Sequence, residues 1–422
     1  MGKAGAMLLL GGGAIYAGRP VLAQTASTGR APTPAAAPRT VILGQSVPLT
    51  GAASEIGLAF AAGAKLYADQ FNETGATSGI QLKLLQLDDG YDAARATANA
   101  RKLLEADKAD MLFGFVGTAS SEAGAAIAAN QGSILFAPFA AADNLRGPNS
   151  PNVFHVRPSM ADEAIKILRQ CAAVGQTRIA LIGDDDAMGR AGLAAVQQAI
   201  DELKIAPLVA TAMVPGSGDK IDAAIAGVLK QSPQAIVLVS LSGTTSNVVR
   251  KLRKTGYFGT LMTFSIVGID PLYATLGKDV GGMVISQVVP SPRPSAIPIV
   301  KEYLAAVDNS DQTASYEGLE GFIAAKAAGE AVRRAGKGFT PPSLQKVMAA
   351  MTGSQASRPS PESARRPAES VRACVLCIPS ALLSKRVFMI PRGHCYCGSA
   401  QSAKLTLMLP FTDTSVPVWS LP

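Results

Sequence analysis

The chain has 422 residues, of which 48% are hydrophobic and 17% are charged, and its formal net charge is +8. This composition excludes disordered, collagen-like and coiled-coil proteins and indicates a globular chain of roughly two to four domains. The excess of positive charge raises the question of a nucleic acid or an acidic membrane as partner.

The positive charge lies at the two ends of the chain. Residues 1–39 hold four basic and no acidic residues, and residues 355–422 hold eight basic and three acidic ones. Residues 40–354 hold 27 basic and 28 acidic residues, which gives a charge of −1. Because the part expected to fold is nearly neutral, we predict no nucleic-acid partner.

The N-terminus has the pattern of a secretory signal. Lys3 precedes a run rich in Ala, Gly and Leu, and small residues surround a cleavage site at Ala23. The run is too short for a membrane span, which needs ~20 apolar residues. We predict a signal peptide over residues 1–23 and a flexible leader over residues 24–39, in preference to a poorly ordered N-terminus of a cytosolic protein.

From Thr40 onward, short apolar runs alternate with segments of helical periodicity. Repeated alternation predicts an α/β fold with mainly parallel sheets and helices on both faces. The predicted strands are 41–43, 81–87, 111–115, 134–136, 153–156, 179–182, 208–213, 235–239, 261–264 and 283–288. The predicted helices are 56–72, 92–104, 120–129, 161–173, 189–203, 219–229, 247–254, 299–306 and 316–335.

The alternation falls into two series, separated at Arg157-Pro158, which predict two Rossmann-like lobes. Four prolines between Pro290 and Pro298 indicate a second crossing between the lobes. We assign residues 40–156 and about 290–338 to the first lobe. The second lobe takes residues 157–289 and about 339–354.

Residues 355–422 form a tail without sustained periodicity. Cys374 and Cys377, with Cys395 and Cys397 beside His394, are numerous enough for a zinc site. The spacing of the second pair is unusual for zinc, and thiols of an exported chain tend to form disulfides. We therefore favour an irregular, non-native tail over a metal site.

The segment after the predicted strand 111–115 combines Gly117 with three hydroxyl side chains at the start of a helix. Thr118, Ser120 and Ser121 can donate hydrogen bonds, and the free N–H groups of a first helical turn attract an anion such as a carboxylate. The residues alone favour a simpler interpretation, in which one hydroxyl caps the helix and Glu122 interacts with its dipole.

Asp184, Asp185 and Asp186 follow the strand 179–182 and could bind Mg²⁺ in a phosphoryl-transfer enzyme. The sequence has no phosphate-binding glycine-lysine loop, so a turn that caps the next helix is the preferred interpretation. His155 lies in an apolar strand and is expected to pack there. No cofactor is predicted, and the sequence gives no positive support for an enzyme.

Four segments together resemble the leucine/isoleucine/valine-binding family of periplasmic ABC-transporter substrate-binding proteins. The resemblance extends from about Val41 to about Met351. It implies a type I periplasmic binding fold, in which two lobes joined by three crossings close on a small ligand. The four segments are Gly44–Gly51, Leu87–Asp92, Gly114–Thr118 and Asp185–Gly192.

In that family one lobe supplies hydroxyl and backbone groups for a carboxylate, which implies this role for Thr118 and for the loop at Ala140. The other lobe has an aromatic residue where Met188 stands and, in amino-acid binders, an acid near Ser265. A buried ammonium without a carboxylate partner is costly, so a branched-chain amino acid is not the only expected ligand. The predicted ligand contacts are Thr118, Ser120, Phe139, Ala140, Ala141, Met188 and Ser265.

The sequence thus predicts a periplasmic, non-enzymatic protein that binds a small carboxylate-bearing ligand, such as an amino acid, organic acid or amide. Its expected partner is an inner-membrane ABC permease. The alternatives are a Mg²⁺-dependent enzyme that uses Asp184–Asp186, a ligand sensor of the same architecture, and a non-functional gene remnant.

Overall fold

A computed structural model describes residues 38–74, 79–215, 220–352 and 374–377. The predicted signal peptide and nearly all of the predicted leader lie outside these ranges, as do His394, Cys395 and Cys397. The described residues form two separate sheets, each covered by helices. None of the helices in these ranges is long and apolar enough to cross a membrane.

The first sheet has five parallel strands in the order β2-β1-β3-β4-β5. Its central strand β3 is buried at every residue, as expected for a sheet covered on both faces. The strands are β1 Arg39–Val47, β2 Ile80–Asp88, β3 Met111–Phe113, β4 Leu135–Phe136 and β5 Val153–Phe154. The helices between them are α1 Ser54–Thr74, α2 Ala93–Arg101 and α3 Thr118–Asn130.

The second sheet has six strands in the order β11-β10-β9-β8-β6-β7, and only β11 runs antiparallel to its neighbour. Its strands are β6 Ile179–Asp184, β7 Ala210–Val214, β8 Ala235–Val239, β9 Thr260–Thr263, β10 Met283–Gln287 and β11 Cys374–Cys377. The helices before β10 are α4 Met160–Ala173, α5 Ala187–Leu203, α6 Lys220–Leu229, α7 Ser242–Lys254 and α8 Ile269–Leu276. Three helices follow β10: α9 Pro298–Asp308, α10 Tyr316–Ala335 and α11 Pro341–Thr352.

Helices α1 and α10 pack closely in the first lobe because glycines face the contact. A Cβ atom on Gly63 would lie 1.8 Å from the carbonyl oxygen of Gly318, and one on Gly321 would lie 2.0 Å from that of Phe60. Tyr67 and Phe322 then meet edge to face across the same pair of helices, with ring centroids 5.3 Å apart. The first lobe is therefore completed by a late segment of the chain.

Two predicted boundaries are wrong. Helix α11 packs against α10 and β5, so residues 341–352 belong to the first lobe and not to the second. Arg39 belongs to β1 and not to a flexible leader, because its guanidinium donates to Asp110 at 3.0 Å and stacks 3.9 Å from the ring of Phe339. Neither the packing of α11 nor the contacts of Arg39 can be seen as a periodic pattern in the sequence.

The chain passes between the lobes at residues 155–159, where β5 leads into α4, and at residues 288–297, where β10 leads into α9. It passes again between α11, beside the first sheet, and β11, on the edge of the second sheet. The segment that joins α11 to β11 is outside the described ranges. The sequence predicts two of these passages directly and the third through the resemblance.

Candidate functional site

An inner cavity lies where the loops after the strands of the two lobes meet. Ligands of open parallel sheets bind at this edge, beyond the carboxyl ends of the strands. The space open to the centre of a water molecule is about 20 Å³, which is enough for about one water. The lining residues are Ala53, Ile56, Tyr91, Val116, Gly117, Thr118, Phe139, Ala140 and Ala141 from the first lobe, and Met160, Met188, Leu241 and Ile266 from the second.

Tyr91 joins the two lobes across this cavity. Its hydroxyl oxygen lies 3.9 Å from the sulfur of Met188, and its backbone has a φ of 65° that is held by a hydrogen bond from its N–H to Asp89. Burial, with Asp186 and Asp184 nearby, raises the pKa of Tyr91. The ring lies against Gly117, where a Cβ atom would be 2.5 Å from a ring carbon. Gly117 is thus required both by its φ of 94° and by the tyrosine ring.

The N-terminus of α3 opens into the cavity without a side-chain cap. Gly117 is the N-cap residue, and Thr118 is the first helical residue. The prediction that a hydroxyl caps this helix is therefore wrong. Ser121 Oγ donates to the carbonyl of Phe115 at 3.3 Å, and Ser120 is buried but does not line the cavity. Thr118 Oγ1 has no hydrogen-bond partner in the described part of the chain, so it and the first N–H groups of α3 can receive an anion.

The loop after β4 forms the wall opposite Thr118. Phe139 donates its N–H to Phe115 O at 2.8 Å and accepts from Gly117 N at 3.1 Å, which fixes the loop beside the start of α3. Ala141 O accepts a hydrogen bond from Met160 N at 2.7 Å. The two lobes are therefore tied together by backbone at the bottom of the cavity. Phe139, Ala140 and Ala141 all line it, as the resemblance implies.

Ser265 does not line the cavity, although it is among the predicted ligand contacts. Its hydroxyl accepts from Arg157 at 2.5 Å and donates to Glu163 at 3.0 Å, and its N–H donates to Glu163 at 2.9 Å. Ser286 also donates to Glu163. Sequence periodicity cannot reveal this arrangement, because the acid that replaces the one expected near Ser265 comes from α4, 102 residues away.

Arg157 is the cation of this buried network and lies in the first passage between the lobes. Its guanidinium is 3.7 Å from Glu163 of the second lobe and 3.5 Å from Glu320 of the first lobe, and its side chain is 1% exposed. It also lies 4.4 Å from the ring centroid of Phe139. Burial raises the pKa of Glu320 to about 7, because the nearby Arg157 offsets only part of the cost of burying the charge.

The three consecutive aspartates have three different partners. Asp184 accepts from Leu241 N at 3.0 Å, Asp185 pairs with Arg190 at 2.9 Å, and Asp186 caps α5 by accepting from Gly189 N at 2.8 Å. Burial raises the pKa of Asp184 to about 6. Among the described residues, no group of three His, Cys, Asp or Glu side chains is placed to hold a metal ion. This arrangement favours the predicted helix-capping turn over a Mg²⁺ site.

His155 packs in the first passage between the lobes. Its Nε2 lies 2.9 Å from the carbonyl oxygen of Leu145, and burial lowers its pKa to about 3, so the ring is neutral at physiological pH. Cys374 and Cys377, from the alternative zinc site, lie on β11.

A second space, called here the outer chamber, is lined by residues next in the chain to those of the inner cavity. It is much larger, with about 370 Å³ open to the centre of a water molecule. The first lobe contributes Gly51, Ala52, Ser54 and Glu55, and the second contributes the start of α7 and part of α8. The polar lining side chains are Ser54, Glu55, Ser242, Ser246, Asn247, Arg250 and Thr275.

Sequence reasoning found five of the thirteen residues that line the inner cavity. It missed Tyr91 and Gly117 as cavity residues, although both lie in segments that carry the family resemblance. Leu241 and Ile266 follow predicted strands, so strand ends were a usable signal for them. Met160 had no such signal, because it lies at the start of a helix.

The chain is similar to proteins of known class. A family model described as periplasmic binding protein matches residues 40–373. An amino acid binding protein of Pseudomonas aeruginosa is 22% identical over 244 residues, which are 56% of this chain. The match spans 63% of that protein, so less than two thirds of its length is covered.

The solved structures show the same fold. A substrate-binding periplasmic protein from Ralstonia solanacearum has a TM-score of 0.71 at 27% identity, over 81% of this chain and 98% of that one. A possible leucine/isoleucine/valine-binding protein from Rhodopirellula baltica has a TM-score of 0.72 at 23% identity, over 81% and 95%. A branched-chain amino acid ABC transporter protein from Thermus thermophilus, with bound valine, has a TM-score of 0.69 at 18% identity, over 82% and 94%. The chain therefore belongs to the periplasmic binding protein family and has the fold of its leucine/isoleucine/valine-binding type.

Proposed function

We propose that this protein is a periplasmic solute-binding protein that captures a small carboxylate-bearing ligand between its lobes and delivers it to an ABC permease. The observation that carries the proposal is the uncapped N-terminus of α3, which opens into a cavity lined by both lobes. The names of the Pseudomonas and Thermus proteins, which concern amino acids, support the same class of ligand.

The first lobe offers the groups that a carboxylate needs. Among the described residues, Thr118 and Tyr91 are the polar side chains that line the inner cavity, and the free N–H groups of α3 add partial positive charge. The remaining lining is apolar, which suits an aliphatic or aromatic part of the ligand. The ligand class is therefore a carboxylate with an apolar substituent.

The second lobe closes over the ligand that the first lobe binds. With about 20 Å³ of free space, the inner cavity is too small for an amino acid, so binding requires that the lobes part and close again. Met188 and Leu241 then desolvate the ligand from the opposite side. Tyr91 and Met188, which touch across the cleft, must separate first.

A thermal-shift panel of amino acids and organic acids tests the proposal. Binding raises the melting temperature, because a ligand that binds only the folded state adds RT ln(1 + [L]/Kd) to its stability. Thr118→Val should then weaken the best carboxylate about tenfold by calorimetry, since one hydrogen bond to a charged group is worth about 1.5 kcal/mol. Absence of any shift across the panel would count against the proposal.

Thr211→Val is the matched control. Thr211 lies exposed on β7 at the edge of the second sheet and lines neither cavity, so this change should leave the affinity unaltered.

Delivery to a permease has its own test: deletion of the gene should abolish cellular uptake of the ligand that the panel identifies. Uptake that continues at the wild-type rate would remove the permease from the proposal.

A further inference from the structure

The outer chamber holds most of the free space in the cleft. It offers about 370 Å³ to water centres, against about 20 Å³ in the inner cavity. Ligand sites of proteins span roughly 300–1,000 Å³, so the chamber alone has the size of a site for a small molecule. A free amino acid in the inner cavity would leave this space filled with solvent.

The polar side chains of the chamber have unused hydrogen-bonding capacity. Ser54, Ser242, Ser246 and Asn247 make no side-chain hydrogen bond within the described ranges, although Ser246 is only 3% exposed. Ser246 is the buried member of this set and the other three are half-buried, so all four can exchange contact with water for hydrogen bonds to a ligand. Three of these side chains lie on the first turns of α7.

The chamber and the inner cavity are continuous along the chain on both sides of the cleft. In the first lobe Ala52 lines the chamber and Ala53 lines the inner cavity. In the second lobe Ser242 lines the chamber and Leu241 lines the inner cavity. The two spaces therefore border each other on both sides of the cleft, close enough for one ligand to reach both when the lobes part.

We propose that the outer chamber is a second subsite, and that the ligand is a carboxylate with a peptide-like extension that occupies it, such as a dipeptide. This inference rests on the proposed function, because it places the carboxylate and an apolar side chain in the inner cavity. The amide of the extension meets the hydroxyl and amide groups of Ser246 and Asn247.

The charges of the chamber favour an extension that is neutral or positively charged over an anionic one. Glu55 is exposed at the start of α1 and has no ion pair in the described part of the chain, so it can receive an ammonium group. Arg250 is the only cation of the lining and already donates to the carbonyl of Thr275 at 2.5 Å. A terminal ammonium group, as in a dipeptide, matches this arrangement.

Calorimetry with valine and glycyl-valine on the full chain tests the inference. Glycyl-valine should bind at least about tenfold more tightly than valine. 2-Aminooctanoic acid, which has a long apolar chain and no amide, should gain nothing over valine. Equal affinity for valine and glycyl-valine, or an equal gain for 2-aminooctanoic acid, would overturn the inference.

Gly243→Leu fills the chamber. Gly243 lies in the first turn of α7, and a Cβ atom there has no neighbour within 4 Å, so the backbone accepts the larger side chain. The change should remove the gain of glycyl-valine and leave the affinity for valine within about twofold. Gly227→Leu is the control, since Gly227 lies exposed in α6 and is equally free of neighbours.

The outcomes separate the two proposals. If no carboxylate binds the wild-type chain, the proposed function fails and the second subsite fails with it. If valine binds and Gly243→Leu leaves glycyl-valine unaffected, or weakens valine equally, only the second subsite fails. Asn247→Ala removes a hydrogen-bonding group without adding volume. It should weaken the binding of glycyl-valine and leave that of valine unchanged.

Discussion

The two lobes contribute opposite kinds of surface to the cleft. The first lobe presents polar groups without partners, namely Thr118 and the uncapped start of α3. The second lobe presents Met188 and Leu241 to the inner cavity, while its nearby carboxylate, Glu163, is bound to Arg157 and to serines. Under the proposed function, the first lobe recognises the carboxylate and the second lobe excludes water. The polar groups of the second lobe around Glu163 stabilise the protein, whereas those at the start of α7 line the outer chamber.

Loss of the buried cation should have the largest effect. Arg157→Met leaves Glu163 and Glu320 without a counter-ion in the interior, and such a change costs about 3–5 kcal/mol of unfolding free energy. Urea unfolding followed by circular dichroism measures it. Arg190→Met breaks an exposed ion pair instead and should cost less than about 1 kcal/mol. Similar losses of unfolding free energy in both variants would show that the buried ion pairs of Arg157 do not stabilise the protein.

A change at Gly117 tests the first lobe, where the start of α3 packs against Tyr91. Gly117→Ala meets a backbone conformation, φ 94° and ψ 151°, that is essentially restricted to glycine and costs roughly 1–3 kcal/mol, and also the ring of Tyr91, where overpacking adds roughly 1–3 kcal/mol. Gly132→Ala is the control, because Gly132 has a φ of 63° but open space around it. The difference between their unfolding free energies contains the contact with Tyr91 and the more restricted backbone region of Gly117. Equal costs would contradict that contact.

The third and smallest expected effect is on the pH dependence of stability, and it tests the acid that the first lobe adds to the buried network. The pKa of Glu320 is about 7 in the folded protein and about 4.3 when unfolded, so the folded protein binds the proton more strongly. The stabilisation is complete below about pH 4 and is lost as the pH rises through 7. Glu320→Gln should therefore flatten the decline in stability between about pH 5 and 8.

Glu330→Gln is the control on the same helix. Hydrogen bonds from Arg334 and Arg333 outweigh slight burial and lower the pKa of Glu330, so its titration lies below this range. This variant should keep the wild-type slope. Glu317, whose pKa burial raises to about 7, leaves part of the slope in every variant. An unchanged slope in Glu320→Gln would contradict the raised pKa.

Much of the fold could be predicted because hydrophobic periodicity is a local property. Strands such as β3 and β8 are buried at every residue and appear in the sequence as apolar runs, and α10 has the predicted bounds Tyr316–Ala335. Helices α8 and α11 were missed. The assignment of α11 to a lobe failed because it depends on contacts with α10 and β5, which no local pattern encodes.

The site was less predictable, for two physical reasons. A cavity depends on which loops meet, so Tyr91 of the first lobe and Met188 of the second become neighbours only after folding. Hydrogen-bond partners are equally non-local: Ser265 is occupied by Glu163 and Arg157, and Thr118 is not a cap because Gly117 takes that position. The types of residue were visible in the sequence, but their partners were not.

The close packing of α1 against α10 has a consequence for the order in which the chain can fold during synthesis. Arg39 of β1 donates to the carbonyl of Lys337, 298 residues later, and α1 cannot bury its glycine face until α10 exists. The second lobe is contiguous from α4 to β10 and can assemble earlier. The lobe that begins first on the ribosome thus has to wait for α10 and α11, and its long-range contacts make it the slower of the two to form.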